Sequence, residues 1–127
     1  MEDTIEQIFE YRLRGLCCSQ ILIQMGLDEM AEENPRLIDA VKGLCGGLAT
    51  GGLCGALSGG ACLLAMLEPN TALGEKVPAL VKWFQEMFQA SDCRDIVGDD
   101  PMNRINRCPD IVGRVYEKVL ELRQESE

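Results

Sequence analysis

Residues 43–67 read Gly-Leu-Cys-Gly-Gly-Leu-Ala-Thr-Gly-Gly-Leu-Cys-Gly-Ala-Leu-Ser-Gly-Gly-Ala-Cys-Leu-Leu-Ala-Met-Leu and carry no charged side chain. The stretch is long enough to cross a bilayer. Its first part, through Gly52, is rich in glycine and a poor helix former. Only Leu53 to Leu67 has the composition of an apolar helix, and that length is short for a span. We therefore read a Gly-rich loop that leads into a buried central helix, and no membrane span. Gly51, Gly55 and Gly59 recur every four residues, as do Gly52, Ala56 and Gly60. That spacing lets helices approach closely. The same glycines would let the backbone approach a bulky inorganic cluster and donate N–H bonds to its sulfurs. Neither G-x-x-x-x-G-K-[ST] nor a G-x-G-x-x-G after a strand is present, so no nucleotide is expected.

On either side of this stretch the apolar residues follow helical spacing. Asp3 or Thr4, with Glu6 and Gln7 behind it, reads as an N-cap with its capping partner. Ile5, Ile8, Phe9, Leu13 and Leu16 then share a face. Gly15 ends or interrupts this helix. Ile21, Leu22 and Met25 continue the spacing from Cys18, and Gly26 reads as a stop. Asn34-Pro35 is an N-cap followed by proline at the first helical position, opening a helix to about Leu44. Glu68-Pro69-Asn70 is a break. Val77, Leu80, Val81, Phe84 and Phe88 mark a further amphipathic helix, with Trp83, Phe84 and Phe88 as core. Cys93 to Val97 forms a short turn or helix ended by Gly98. The last helix is expected from about Pro109 to Gln124, with Val112, Val115, Val119 and Leu122 inward. Strand patterns are nearly absent. The expectation is an all-α, single-domain bundle of about five helices over residues 1–127.

The chain has 127 residues, 46% of them hydrophobic, which suits one soluble domain. It has seven cysteines and no histidine. Two classes fit so many cysteines: a secreted disulfide scaffold, or an intracellular metal or thiol protein. The acidic, amphipathic start lacks the basic end and apolar run of a signal peptide, and the odd count leaves one thiol over in full pairing. We therefore expect a cytoplasmic, reducing setting. The net charge of −9 opposes nonspecific nucleic-acid binding and anionic membrane surfaces. A redox partner protein is expected, and its identity is not legible. The glycine spacing also admits a homodimer.

Without histidine, no Ser-His or Cys-His pair can form. Covalent haem, which needs C-x-x-C-H, is excluded as well. Metal or redox chemistry then falls to sulfur. Cys18, Cys54, Cys93 and Cys108 lie near expected helix starts, where free N–H groups lower a thiol pKa. Four thiolates from four separated segments can close around a [2Fe–2S] cluster or one zinc ion. The spacing itself is not diagnostic, because close C-x-x-C pairs are lacking. Cys62 reads as a small apolar core residue, and Cys45 as core or exposed by its glycines. Cys17 is a spare ligand or a bystander. Asp92, Asp95, Asp99 and Asp100 read as solvated residues or caps rather than a carboxylate site.

The order of these residues resembles a family described as redox-active and named for its C…GCAxxG…C…C cysteine pattern. The residues that carry it are Cys18-Ser19-Gln20 after Gly15, then Gly52-Leu53-Cys54-Gly55-Ala56-Leu57-Ser58-Gly59. Cys93-Arg94-Asp95-Ile96-Val97-Gly98 and Cys108-Pro109-Asp110-Ile111-Val112 complete it. The family is similar to the N-terminal region of split-Soret cytochromes, in which cysteines are thought to hold an iron–sulfur centre. The resemblance implies Cys18, Cys54, Cys93 and Cys108 as ligands or redox thiols of an iron–sulfur electron carrier or sensor, whose cluster would be lost from aerobic preparations. Cys17, Cys45 and Cys62 fall outside the pattern, and the haem-binding portion is absent. Two other readings stay open at this point: a metal-free dithiol/disulfide protein, and a structural zinc or cysteine-lined interaction module.

Overall fold

The computed structural model describes residues 2–98 and 101–125. Within them the chain forms α1 (Glu2–Leu13), α2 (Cys18–Glu29), α3 (Pro35–Val41), α4 (Gly55–Leu67), α5 (Val77–Phe88), α6 (Cys93–Val97) and α7 (Pro101–Glu125). Short turns occupy Lys42–Leu44, Gly47–Gly51 and Ala72–Lys76. No strand occurs among the described residues; an isolated antiparallel bridge joins Leu53 to Asp92. The fold is all-helical, with seven α-helices among the described residues where the spacing suggested about five. Gly15, at φ 93°, separates α1 from α2, and residues 93–97 close a helical turn of their own as α6.

The uncharged stretch divides at Cys54, the N-cap of α4. Ahead of it the glycine-rich residues make turns; behind it Ala56, Leu57, Leu63 and Leu64 are fully buried. Each leucine buried in this way contributes about 1.5–3 kcal/mol. Helix α4 packs on α2 most extensively, and on α7 and α5 beside it. The glycines make this possible. A Cβ on Gly59 would stand 2.7 Å from the Ser19 Cα in α2, and one on Gly60 would stand 2.6 Å from Val115 Cγ1 in α7. Of the glycines spaced by four, Gly59 and Gly60 thus serve close helix approach, whereas Gly51 and Gly52 lie ahead of the helix. No helix among the described residues is long and apolar enough to cross a membrane.

Several local expectations hold. Asn34 Oδ1 accepts the Leu37 N–H at 3.1 Å, with Pro35 opening α3. Val112, Val115, Val119 and Leu122 line the inner face of α7. Phe84 is fully buried, with the Trp83 ring edge-on to it at 6.3 Å and the Phe88 ring tilted against it at 4.7 Å.

Others are corrected by packing. Gly26 does not end α2; it lies inside the helix against the Leu63 side chain of α4, where a larger residue would collide. The helix ends instead at Met30, with Ala31 in the left-handed region (φ 55°) and the Glu32 N–H closing on the Leu27 carbonyl at 2.9 Å. The last helix begins at Pro101 and runs through Pro109, so Cys108 lies within it and opens nothing. Helix α4 is not buried all round: Cys62 is exposed, because positions 58, 62 and 65 form the face opposite the core. On α1, Ile8 is buried whereas Phe9 and Leu13 are exposed. Asp92 pairs with Arg94 at 3.8 Å on the surface, in keeping with a solvated role. Asp99 and Asp100 lie outside the described residues.

Candidate functional site: a cavity lined by cysteines

Four elements carry the four cysteines singled out above. Cys18 is the first residue of α2, Cys54 the N-cap of α4, Cys93 the first residue of α6, and Cys108 lies one-third of the way along α7. All four line one cavity of about 380 Å³. Cys54, Cys93 and Cys108 are buried and Cys18 is half-buried; none of them is in a disulfide.

The chain brings them together by backbone pairing as much as by helix packing. The Cys54 N–H donates to the Ser91 carbonyl at 2.8 Å, and the Cys93 N–H donates to the Gly52 carbonyl at 2.6 Å. This two-bond zipper sets the N-terminus of α4 beside that of α6. Nothing in the sequence marks it, since it joins two loops far apart in the chain. At Gly59 the close approach of α4 to α2 brings the start of α2, and with it Cys18, to the same place. A side chain at Gly55 would meet the Leu44 carbonyl at 3.2 Å and Cys18 Cβ at 3.8 Å, so a glycine there also keeps the cavity wall thin.

At two of them, Cys18 and Cys54, protonation runs opposite to the expectation from helix ends. The Cys18 thiol is held well above its ordinary range, first by a hydrogen bond shared with Cys108, then by burial and by repulsion from Cys108 and Cys54; Arg12 opposes this. Burial also pushes the Cys54 thiol up, and the Ala56 and Leu57 N–H groups at the start of α4 pull against it without winning. The shared hydrogen bond at Cys18 and desolvation at Cys54 outweigh the helix terminus. A bound cation reverses that balance, since it favours thiolate at every sulfur it touches.

Two further cysteines line the same cavity. Cys17 and Cys45 form a disulfide across 28 positions, with Cα atoms 6.1 Å apart, within the span a disulfide bridges. The sequence offered no signal for this pairing. Ser19 Oγ lies 3.1 Å from Cys45 Sγ and donates to the Val41 carbonyl at 2.7 Å. Arg12 is the one cation on the wall among the described residues, and they place no carboxylate there.

Zinc needs four sulfurs about 2.3 Å from one point. Among the described residues no three Cys, Asp or Glu side chains stand close enough together to hold an ion. A cluster of several metals carries its ligands on separate atoms, so thiols spread around a cavity are compatible with it. Soft sulfur without histidine or carboxylate suits zinc, copper(I) and iron–sulfur chemistry alike.

A family model with the description "Putative redox-active protein (C_GCAxxG_C_C)" matches residues 16–122, a span that takes in all seven cysteines. No curated protein and no solved structure matches the chain.

Proposed function

This chain belongs to the C_GCAxxG_C_C family of redox-active proteins, and on that premise we propose that Cys18, Cys54, Cys93 and Cys108 hold an iron–sulfur cluster that serves electron transfer or redox sensing. The observation that carries the reading is the convergence of these four cysteines, from four helices, on one cavity. When bound, such a group supplies reversible one-electron exchange. The chain's own residues do the rest. The four sulfurs give up their protons to become ligands, so loading releases protons and weakens as pH falls. Arg12 on the wall offsets part of the charge that four thiolates bring. Ile96, Val97 and Ile111 make the cavity's apolar side and limit water at the sulfurs. We place the protein in the cytoplasm, with a separate redox protein as electron partner.

One observation favours a second reading. Cys18 and Cys108 share a hydrogen bond, so the two sulfurs are near enough to cycle between dithiol and disulfide without metal. The raised Cys18 thiol counts against rapid exchange at neutral pH, because the thiolate is the attacking form.

The test is anaerobic purification, which guards against loss to oxygen, followed by a visible spectrum and iron and zinc analysis. Broad absorption with about two or four irons per chain supports the cluster, and Cys54→Ser should abolish it. Retention of the chromophore at full occupancy in Cys54→Ser would show the ligand set to be wrong. A colourless, iron-free protein would leave the dithiol reading, and stoichiometric zinc would leave a structural role.

A further inference from the structure

The cavity has a second sulfur centre that the family pattern does not include. We propose that Cys17 and Cys45 are a redox couple in their own right, opened by a dithiol reductant and closed by an oxidised dithiol, and that the closed bond holds one wall of the cavity in place. The inference does not depend on a cluster being bound, and its test uses metal-free protein.

Three observations carry it. First, the bond is within reach: Cys17 and Cys45 are both half-buried and line the cavity rather than the core. In a reducing compartment, a disulfide that persists is usually catalytic or redox-sensing. Second, its two ends are unequal. Cys17 is the N-cap of α2, where it forms a reciprocal capping pair with Gln20, whose Oε1 accepts the Cys17 N–H at 3.1 Å. That end is thereby fixed to the start of a 12-residue helix. Ser19 Oγ lies nearer to Cys45 Sγ, at 3.1 Å, than to Cys17 Sγ, at 3.6 Å, and the Ser19 proton is committed to the Val41 carbonyl. The serine oxygen is therefore ready to accept an S–H from Cys45. Third, the segment that follows Cys45 is held in an unfavourable form. Gly46, Gly47, Leu48 and Ala49 have φ of 65°, 64°, 59° and 60°. Left-handed backbone costs about 1–2 kcal/mol at each residue other than glycine. The bond to Cys17 ties this segment to α2, and Gly46 is part of the cavity wall.

One thiolate of the reductant attacks Cys45 Sγ. A donor–Cys45 bond forms, the Cys17–Cys45 bond breaks, and its electron pair leaves on Cys17 at the α2 N-terminus. The donor's second thiolate attacks its own sulfur in the mixed disulfide and expels Cys45. Both cysteine sulfurs take protons, Cys45 against Ser19 Oγ. Two electrons and two protons have passed to the pair, and the donor departs as its disulfide. Without the tether, the residue 46–49 segment can leave its left-handed form, and that wall opens.

The experiment is a titration of the full, metal-free chain in graded ratios of reduced to oxidised dithiothreitol. Aliquots are quenched with iodoacetamide and mapped by peptide mass, with circular dichroism alongside. Cys17 and Cys45 should gain label together along one reversible two-electron curve while helicity is unchanged. The labelling rate of Cys54 should rise about tenfold or more once the pair is reduced. The double variant Cys17→Ser, Cys45→Ser should show the fast Cys54 rate at every ratio. Labelling of the pair only as helicity is lost would overturn the proposal, as would reoxidation into another pairing or a Cys54 rate unchanged by reduction. Should the double variant fail to fold, the titration of the natural chain decides alone.

Discussion

Gly59→Ala tests the link between helix packing and the cavity. The added Cβ would lie 2.7 Å from the Ser19 Cα and 3.0 Å from its Cβ. Ordinary contact begins at 3.4 Å, so α2 and α4 must separate by at least 0.7 Å (3.4 less 2.7) at this point. The obstacle is backbone, which has no rotamer to change, and Ser19 is anchored to Val41. Overpacking of this kind costs about 1–3 kcal/mol. Alanine returns about 1 kcal/mol of helix propensity over glycine. The net expectation is destabilisation of about 1 kcal/mol, with an upper bound near 2 kcal/mol. The control is Gly43→Ala, whose Cβ meets nothing within 4 Å; it should stay within about 0.5 kcal/mol of the natural chain. Urea unfolding followed by circular dichroism reads both values. Because Cys18 begins α2 and Cys54 caps α4, the separation also moves two of the four sulfurs apart, and metal uptake should fall in Gly59→Ala but not in Gly43→Ala. A Gly59→Ala protein that gains the full propensity term would refute the claim that α2 and α4 touch through their backbones here.

Other consequences follow from the same structure. The Cys18 and Cys54 thiols hold protons more tightly in the folded chain than in the unfolded one. That stabilisation is complete below the unfolded thiol range near pH 8.5 and is lost as pH climbs through it toward the folded values. Urea midpoints of metal-free protein should therefore fall between about pH 8 and 9.5, below the tyrosine range, and Cys18→Ser should flatten the slope; a flat natural profile would contradict the assignment. Reducing the Cys17–Cys45 bond releases a loop of 28 positions, worth about 3.5 kcal/mol in chain entropy, and unfolding curves with and without reductant should differ by that order. Phe84→Ala removes a fully buried ring at the centre of the α5 aromatic group and should cost about 3–5 kcal/mol; a loss under 1 kcal/mol would place Phe84 outside the core.

Features that depend on neighbours in the chain were legible from the order of residues. The helical class follows from apolar spacing. The start of α3 follows from Asn34-Pro35, because a capping side chain and a fixed φ act within one turn. The start of α4 at Cys54 and the limits of α6 at Cys93 and Gly98 were legible for similar reasons. The cysteine order marked the family, and so which thiols to follow. Tertiary structure alone decided how those thiols stand to one another. The bonds from Cys54 to Ser91 and from Cys93 to Gly52 join loops about 40 residues apart, and no local preference encodes such a pairing. Gly26 looked like a stop because glycine ends helices, yet packing against Leu63 gave it another use. Pro109 looked like a start, yet α7 passes through it. Helix-end chemistry argued for easily ionised thiols, and the Cys108 hydrogen bond at Cys18 and burial at Cys54 reversed the sign, since both depend on what encloses a sulfur. The Cys17–Cys45 bond was hidden for the same reason: a pairing of two cysteines is a fact about distance in space, which the order of residues does not contain.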